Sequence, residues 1–274
     1  MGTEQRDAGG RQAAPGEACL VVMARAPVSG QVKTRLCRSE PAASDPALTP
    51  AQAAAVHAAF VADVCRSGAR SGMRRRRLYV AGDPADPQLT AVAQAHGFVI
   101  REQQGAELGA RMAAAIAAEL LAGASAVVLI GTDSPTLPAA YLARAASWLG
   151  GATDVVLGPA ADGGYYLIGA RRPLPELFAA GMKWGTAQVL PATLERLRGL
   201  ADSGVQVALL PFFYDVDTPQ DLRLLAAHLR LAAGCTGRAD ADSPSSAGAA
   251  DAADTLLDVH VPATCAVLRE LGLL

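Results

Sequence analysis

The chain has 274 residues, 51% of them hydrophobic but only 4% aromatic, so a sizeable core has to be assembled mainly from Ala, Val and Leu. A net charge of −2 supplies no general attraction to nucleic acid or to an anionic membrane. The cysteines at 19, 37, 65, 235 and 265 have no paired spacing, which argues against a disulfide framework or a zinc site and for a reducing compartment, the cytoplasm.

Residues 1–17 are polar and rich in Gly and Ala, the composition of a disordered leader. The apolar run Cys19–Ala24 is too short for a signal sequence or a membrane span and reads as a buried strand. It leads into a basic loop through Arg25, Gly30, Lys33 and Arg35, then a Pro/Ala/Ser stretch over 38–48 that reads as a mobile loop. Thr49-Pro50 has the form of a cap and first turn for a helix to about Cys65. Arg74–Arg77, without interleaved aromatics, reads as a solvated turn before a short strand, Leu78–Ala81. A helix over 87–95, a strand at Phe98–Ile100 and an Ala-rich helix over Glu107–Leu121 follow.

Ala126–Ile130 is apolar without alternation, as expected of a strand covered on both faces of a mostly parallel sheet. It stops at Gly131-Thr132-Asp133-Ser134-Pro135, and a helix is expected over 138–149. Strands at Asp154–Gly158 and Tyr165–Gly169 flank the turn Ala161–Gly164, and a helix over 187–199 carries Pro191 near its first turn. The last strand, Val205–Leu210, delivers Tyr214-Asp215-Val216-Asp217, and Thr218-Pro219 opens a helix to about Leu231. The alternation of strands and helices predicts one three-layer α/β domain over 18–232. A Gly/Ala/Ser/Asp-rich flexible linker or insert over 233–258 and a C-terminal helix within 259–274 complete the chain.

Four groups of residues can carry chemistry. Gly30 lets a ligand approach the backbone while Lys33 and Arg35 offer charge to phosphate oxygens, although the order of residues is not that of a Walker loop. Lys33 and Lys183 are the only lysines among 24 basic residues. Asp133 and Asp217 each follow a strand and precede a proline-opened helix. If those strands are neighbours, both acids reach one rim of the sheet, where two hard oxygen ligands suit Mg²⁺ or Mn²⁺. Asp215 competes for the second position, and either acid can instead be a helix cap. Asp162-Gly163-Gly164-Tyr165 admits a ligand to its backbone, with Asp162 able to orient a hydroxyl, and it also suits a simple turn. Lys183-Trp184 precedes a helix and can hold an anion or stack on a ring. The histidines at 57, 96, 228 and 260 form no hydrolytic arrangement with Ser or Cys.

Taken together, Val22–Leu36, Gly131–Pro138, Gly158–Gly169 and Tyr214–Pro219 resemble the DUF2064 family, whose members are labelled GT-A-fold glycosyltransferases, including an arsenosugar-biosynthesis group. The likeness covers about residues 19–231, with the insert before the C-terminal helix as a departure. It implies a Rossmann-like GT-A fold with a mixed, mostly parallel sheet, and a divalent metal, Mg²⁺ or Mn²⁺, near nucleotide phosphates. Under it Asp133, Asp162 and Lys33 are expected to be catalytic, and Asp133 with Asp217 to bind metal. Ala24, Arg25, Gly30, Lys33, Arg35 and Thr132 are expected at the nucleotide, and Gly163, Gly164, Tyr165, Lys183 and Trp184 at the substrate. The implied reaction is sugar transfer from a nucleoside-diphosphate sugar to a small acceptor. The wider superfamily also contains nucleotidylyltransferases, which release pyrophosphate, and the Asp-x-Asp usual in glycosyltransferases of this fold is absent at Asp133-Ser134-Pro135. A non-catalytic nucleotide-sugar binding module is the reading from another class.

Overall fold

The computed structural model describes residues 17–38, 47–179, 181–236 and 259–274. β1 (Cys19–Arg25) is followed by a 3-10 turn, Thr34–Cys37, and by α1 (Pro50–Arg70). Next come β2 (Arg75–Ala81), α2 (Pro87–His96), β3 (Val99–Glu102), α3 (Leu108–Leu121), β4 (Val127–Ile130), α4 (Ala139–Gly150), β5 (Val155–Pro159) and β6 (Tyr165–Ala170). A 3-10 turn at Pro175–Phe178 precedes α5 (Val189–Asp202), β7 (Val207–Leu209), α6 (Pro219–Thr236) and α7 (Pro262–Glu270). The expected leader lies outside the described residues apart from Glu17, as do 39–46 of the loop and 237–258 of the insert.

The strands form one seven-stranded sheet in the order β3-β2-β1-β4-β6-β5-β7. All pairings are parallel except those of β6, which runs antiparallel to both β4 and β5. This is the mixed, mostly parallel α/β sheet expected. Central strands β1 and β4 are buried on both faces, which is why their sequences show no polar alternation. Leu20, Val22, Leu78, Val128 and Ile130 pack on one side against α1, α2 and α4. Cys19, Val21, Val127, Leu129 and Ile168 pack on the other against α3, α5 and the second 3-10 turn. A third cluster joins the outer face of α1 (Val56, Phe60) to Leu36, Val216, α6 and α7.

Local signals account for most boundaries. Thr49 caps α1 in a reciprocal box with Gln52. The helix runs to Arg70 rather than Cys65, and Gly68 lets its last turn lie against the sheet; a Cβ there would meet Leu20 at 2.6 Å. α6 likewise runs past Leu231 to Thr236. The arginine run is the clearest correction. Residues 75–77 are not a solvated turn but the start of β2, with Arg75 and Arg77 each only 7% exposed. Their guanidinium groups face Glu119 of α3, 3.4 and 3.3 Å away, and buried arginines are stable only with such a partner.

α7 is tied to the body by a cap supplied from far away in sequence. The buried Asp63 carboxylate, on α1, accepts hydrogen bonds from the N–H groups of Ala263 (3.3 Å) and Thr264 (2.7 Å), satisfying donors that the helix itself leaves free. Asp63→Ala is expected to cost about 1–2 kcal/mol in urea unfolding, the usual effect of losing a cap. Protease sensitivity should rise first within 259–274; unchanged stability together with unchanged cleavage would show that α7 docks without this cap. Among the described residues no helix is long and apolar enough to cross a membrane.

Candidate active site

The site is built on the carboxyl ends of β1 and β4, where an open α/β sheet leaves its crevice. Beyond β1 the chain turns so that Lys33 adopts a left-handed backbone, φ 48°, the only non-glycine residue among those described with positive φ. This turn sends the Lys33 side chain inward until it is only 4% exposed. Its ammonium lies 2.5 Å from Asp133 Oδ1 and 2.9 Å from Asp217 Oδ1, and it donates to the Val216 carbonyl at 2.5 Å. Arg35 reaches the other oxygen of Asp217 at 3.4 Å and stays half exposed.

The strands bearing the two acids are not neighbours, because β6 and β5 stand between β4 and β7. The acids meet because the chain leaving β7 crosses back over the rim. Phe213 exchanges main-chain bonds with Pro159 (3.1 Å) and Ala161 (2.9 Å), Tyr166 donates its hydroxyl proton to the Pro211 carbonyl, and the Val216 N–H donates to the Asp133 carbonyl at 2.8 Å. Tyr166 itself passes over Gly158, where a Cβ would stand 2.4 Å from its ring; only glycine fits.

Neither acid serves as a helix cap. Asp221 accepts from the N–H groups of Asp217 and Thr218, and its own N–H donates to the Thr218 hydroxyl, so α6 is capped without the Asp217 carboxylate. At α4 the cap position is Pro138, with no side-chain bond. Asp162 does close its own turn, accepting from Gly164 N–H at 2.7 Å, and it still faces the cleft.

That cleft measures about 660 Å³. Of the residues expected at the site, Ala24, Arg25, Lys33, Arg35, Thr132, Asp133, Asp162, Gly164, Tyr165, Trp184 and Asp217 line it, together with Asp215. Gly30, Gly163 and Lys183 do not. Gly30 shapes the turn at φ 78°, Gly163 at φ 90° packs against Ala187 so closely that a Cβ would lie 2.6 Å from its Cα, and Lys183 is exposed outside the cleft. Trp184 is held against α3, where Gly109 makes room for its ring.

Charge in the cleft is unevenly matched. Burial alone would lower the Lys33 ammonium, but Asp133 and then Asp217 hold its pKa above the usual lysine value. Burial would raise the Asp133 carboxyl, and the adjacent ammonium instead holds it below the ordinary range. Asp215 behaves oppositely: burial, then the neighbouring Asp162 and Asp217 carboxylates, push it up to about 7. Two lining residues carry no obvious motif. His57 shares a hydrogen bond of 3.1 Å with the Arg25 carbonyl, and burial keeps its imidazole below its usual pKa. Gln103 spans the ends of β1 and β2. A helix-borne His and a Gln just after a strand have no spacing that would single them out in a sequence.

A protein from Desulfovibrio desulfuricans G20, described as a "putative nucleotide-diphospho-sugar transferase", is 30% identical over 94% of this chain and 96% of its own, with a TM-score of 0.69. A cytidylyltransferase from Leptospira borgpetersenii (10% identity; 94% and 95% covered; TM-score 0.51) shares the fold. So does 4-diphosphocytidyl-2C-methyl-D-erythritol synthase from Anaerococcus prevotii (10%; 78% and 96%; 0.51). No curated protein matches the chain. The sheet order and the cleft at its rim are thus those of a mixed α/β fold like that of the protein described as a nucleotide-diphospho-sugar transferase. Residues 66–186 match the model of the family described as "Uncharacterized protein conserved in bacteria (DUF2064)", and the chain belongs to this family.

Proposed function

We propose that the protein transfers a sugar from a nucleoside-diphosphate sugar to a small acceptor, binding the donor in the cleft at the ends of β1 and β4. The observation that carries this reading is the convergence at one rim of the Lys33 loop, Asp133 and Asp217. A half-exposed Arg35 beside a buried ammonium suits the phosphates of a donor, and the Asp162 turn with Tyr165 and Trp184 suits an acceptor.

A divalent cation, Mg²⁺ or Mn²⁺, fits the donor set. Asp133, Asp162, Asp215 and Asp217 line the cleft together with Lys33, Arg35, Arg25 and Arg111, and Asp215, raised first by burial and then by the Asp162 and Asp217 carboxylates, sits where a cation would be favoured. Among the described residues no group of three or more His, Cys, Asp or Glu side chains is placed to hold a metal ion, so phosphate oxygens and water would have to complete the coordination. Asp133 and Asp217 are engaged by Lys33, so Asp162 with Asp215 is the pair that would hold the ion without displacing the ammonium. When bound, the ion would neutralise charge on the leaving phosphate. Lys33 and Arg35 would orient the phosphates, and Asp162 would accept a hydrogen bond from the acceptor hydroxyl.

The second reading, nucleotidylyl transfer from a nucleoside triphosphate to a phosphorylated acceptor, is favoured by one specific feature: Pro135 stands where a second acid would complete Asp-x-Asp. Incubation with nucleoside-diphosphate sugars, and separately with nucleoside triphosphates and sugar phosphates, with and without Mn²⁺, separates the two. Release of nucleoside diphosphate supports sugar transfer, and release of pyrophosphate supports the alternative. Thermal stabilisation by a nucleotide sugar with no turnover in any arm would reduce the protein to a binding module.

A further inference from the structure

Gln103 follows β3 directly, and its main-chain N–H donates to the Val80 carbonyl at 2.9 Å, carrying the β2–β3 ladder one residue further. Its side chain turns back over the ends of the strands. Nε2 lies 2.9 Å from the Ala24 carbonyl and 2.9 Å from the Tyr79 carbonyl. Two carbonyl oxygens can only accept, so the amide must present its nitrogen to them, and both amide protons are used. The orientation of this amide is therefore decided by the sheet rather than by any ligand. What Gln103 has left is Oε1, an acceptor that no described donor meets, on a residue lining the cleft at the end of β1.

Glu107, four residues on, stands at the cap position of α3 without capping it, and its exposed side chain lines the same cleft. This wall thus offers two acceptor groups, one of them rigidly oriented, and beside them a donor, the Arg111 guanidinium, whose Nε donates to the Gly105 carbonyl at 2.9 Å. Its complement is an edge with adjacent donors. Guanine has one, in N1–H and the 2-amino group. Uracil sets its single N–H between two carbonyl oxygens, which would face these acceptors, and hypoxanthine lacks the amino group altogether.

We infer that Gln103 reads the base of the nucleotide donor, its Oε1 accepting from the 2-amino group of guanine. This rests on the donor being a nucleotide, as proposed above. Gln103 makes no contact with reacting atoms and acts on selectivity alone.

The test is titration calorimetry of the full chain in magnesium buffer with GDP, IDP, CDP and UDP. GDP should bind about tenfold more tightly than IDP, the effect of one well-made hydrogen bond to an oriented acceptor, and UDP more weakly than GDP. In Gln103→Met the ratio of GDP to IDP affinity should fall to about one. A purely structural role for Gln103 would instead weaken both ligands together and keep their ratio, and that outcome overturns the inference. Should Gln103→Met fail to fold, the wild-type protein still decides: equal binding of GDP and IDP, or a preference for UDP, overturns it. Binding of none of the four would remove the nucleotide reading itself, and the base assignment with it.

Discussion

Glu119→Ala is expected to lower the unfolding free energy by about 3–5 kcal/mol, the range for stripping a buried ion pair of one partner. That is a large fraction of the roughly 5–15 kcal/mol by which folded domains are stable. The physical reason is the ratio of charges. One carboxylate, only 3% exposed, serves two guanidinium groups on β2, and its Oε1 also accepts from the Tyr79 hydroxyl at 3.1 Å. Arg75 and Arg77 keep main-chain carbonyl partners at Ala122 and Arg76, which satisfy hydrogen bonds but not charge. Removing Glu119 leaves two positive groups facing each other in a medium of low dielectric constant. Urea denaturation measures the loss, and a shift under about 1 kcal/mol would mean that water reaches the arginines. Because Arg75 pairs with Cys19 at the amino ends of β2 and β1, away from the cleft, the folded fraction of Glu119→Ala should keep its activity. Replacing Arg75, Arg77 and Glu119 together by apolar residues of similar volume should restore most of the stability.

This network also marks where the sequence stops being readable. Unbroken apolar runs at Cys19–Ala24 and Val127–Ile130, and proline-opened helices behind Thr49 and Thr218, announce the α/β alternation through local chemistry alone. Arg75 and Arg77 look like surface residues because their partner is forty-odd positions away on α3. The available signal was their period of two with Tyr79, set against one glutamate in an otherwise Ala-rich helix. The order of the strands is illegible for a similar reason. Nothing local to Tyr165–Ala170 says that it will insert antiparallel between β4 and β5, and so the acids at 133 and 217 could be placed at one rim only by supposing their strands adjacent. The rim is shared, but by means of the returning segment Leu210–Val216. Gln103 escapes notice because its importance lies in two carbonyls it happens to reach.

Lys33→Met should reduce kcat/KM by about 10²–10³, the scale found when one oriented electrostatic group is removed from a reaction centre. The ammonium is the element that joins the two halves of the site: it rises from the β1 loop, neutralises Asp133 on the β4 loop, and grips Asp217 and the Val216 carbonyl on the returning segment. Asp133 and Asp217 keep 49% and 31% of their side-chain surface in solvent, so the cost to folding is expected to be only about 1 kcal/mol. Activity and stability should therefore separate, in contrast to Glu119→Ala. Arginine is no substitute, since a planar guanidinium cannot occupy a pocket shaped for a single nitrogen among three oxygens. The pH behaviour follows in sign from the two shifts. Asp133 is depressed, so its share of stability is complete above the unfolded carboxyl value and fades as pH falls through its lowered folded one. Lys33 is raised, so its share is complete below the unfolded lysine value and fades as pH climbs through its higher folded one. Between those limits the pair stays charged, and its own share of the stability lost in Lys33→Met should be flat with pH. Mn²⁺ binding to Lys33→Met without nucleotide should be tighter than to the native chain, because Asp133 and Asp217 then face each other without a cation. A variant that kept full activity, or that bound Mn²⁺ no better, would show that the ammonium merely fastens the loop and that the two acids take no part in holding charge.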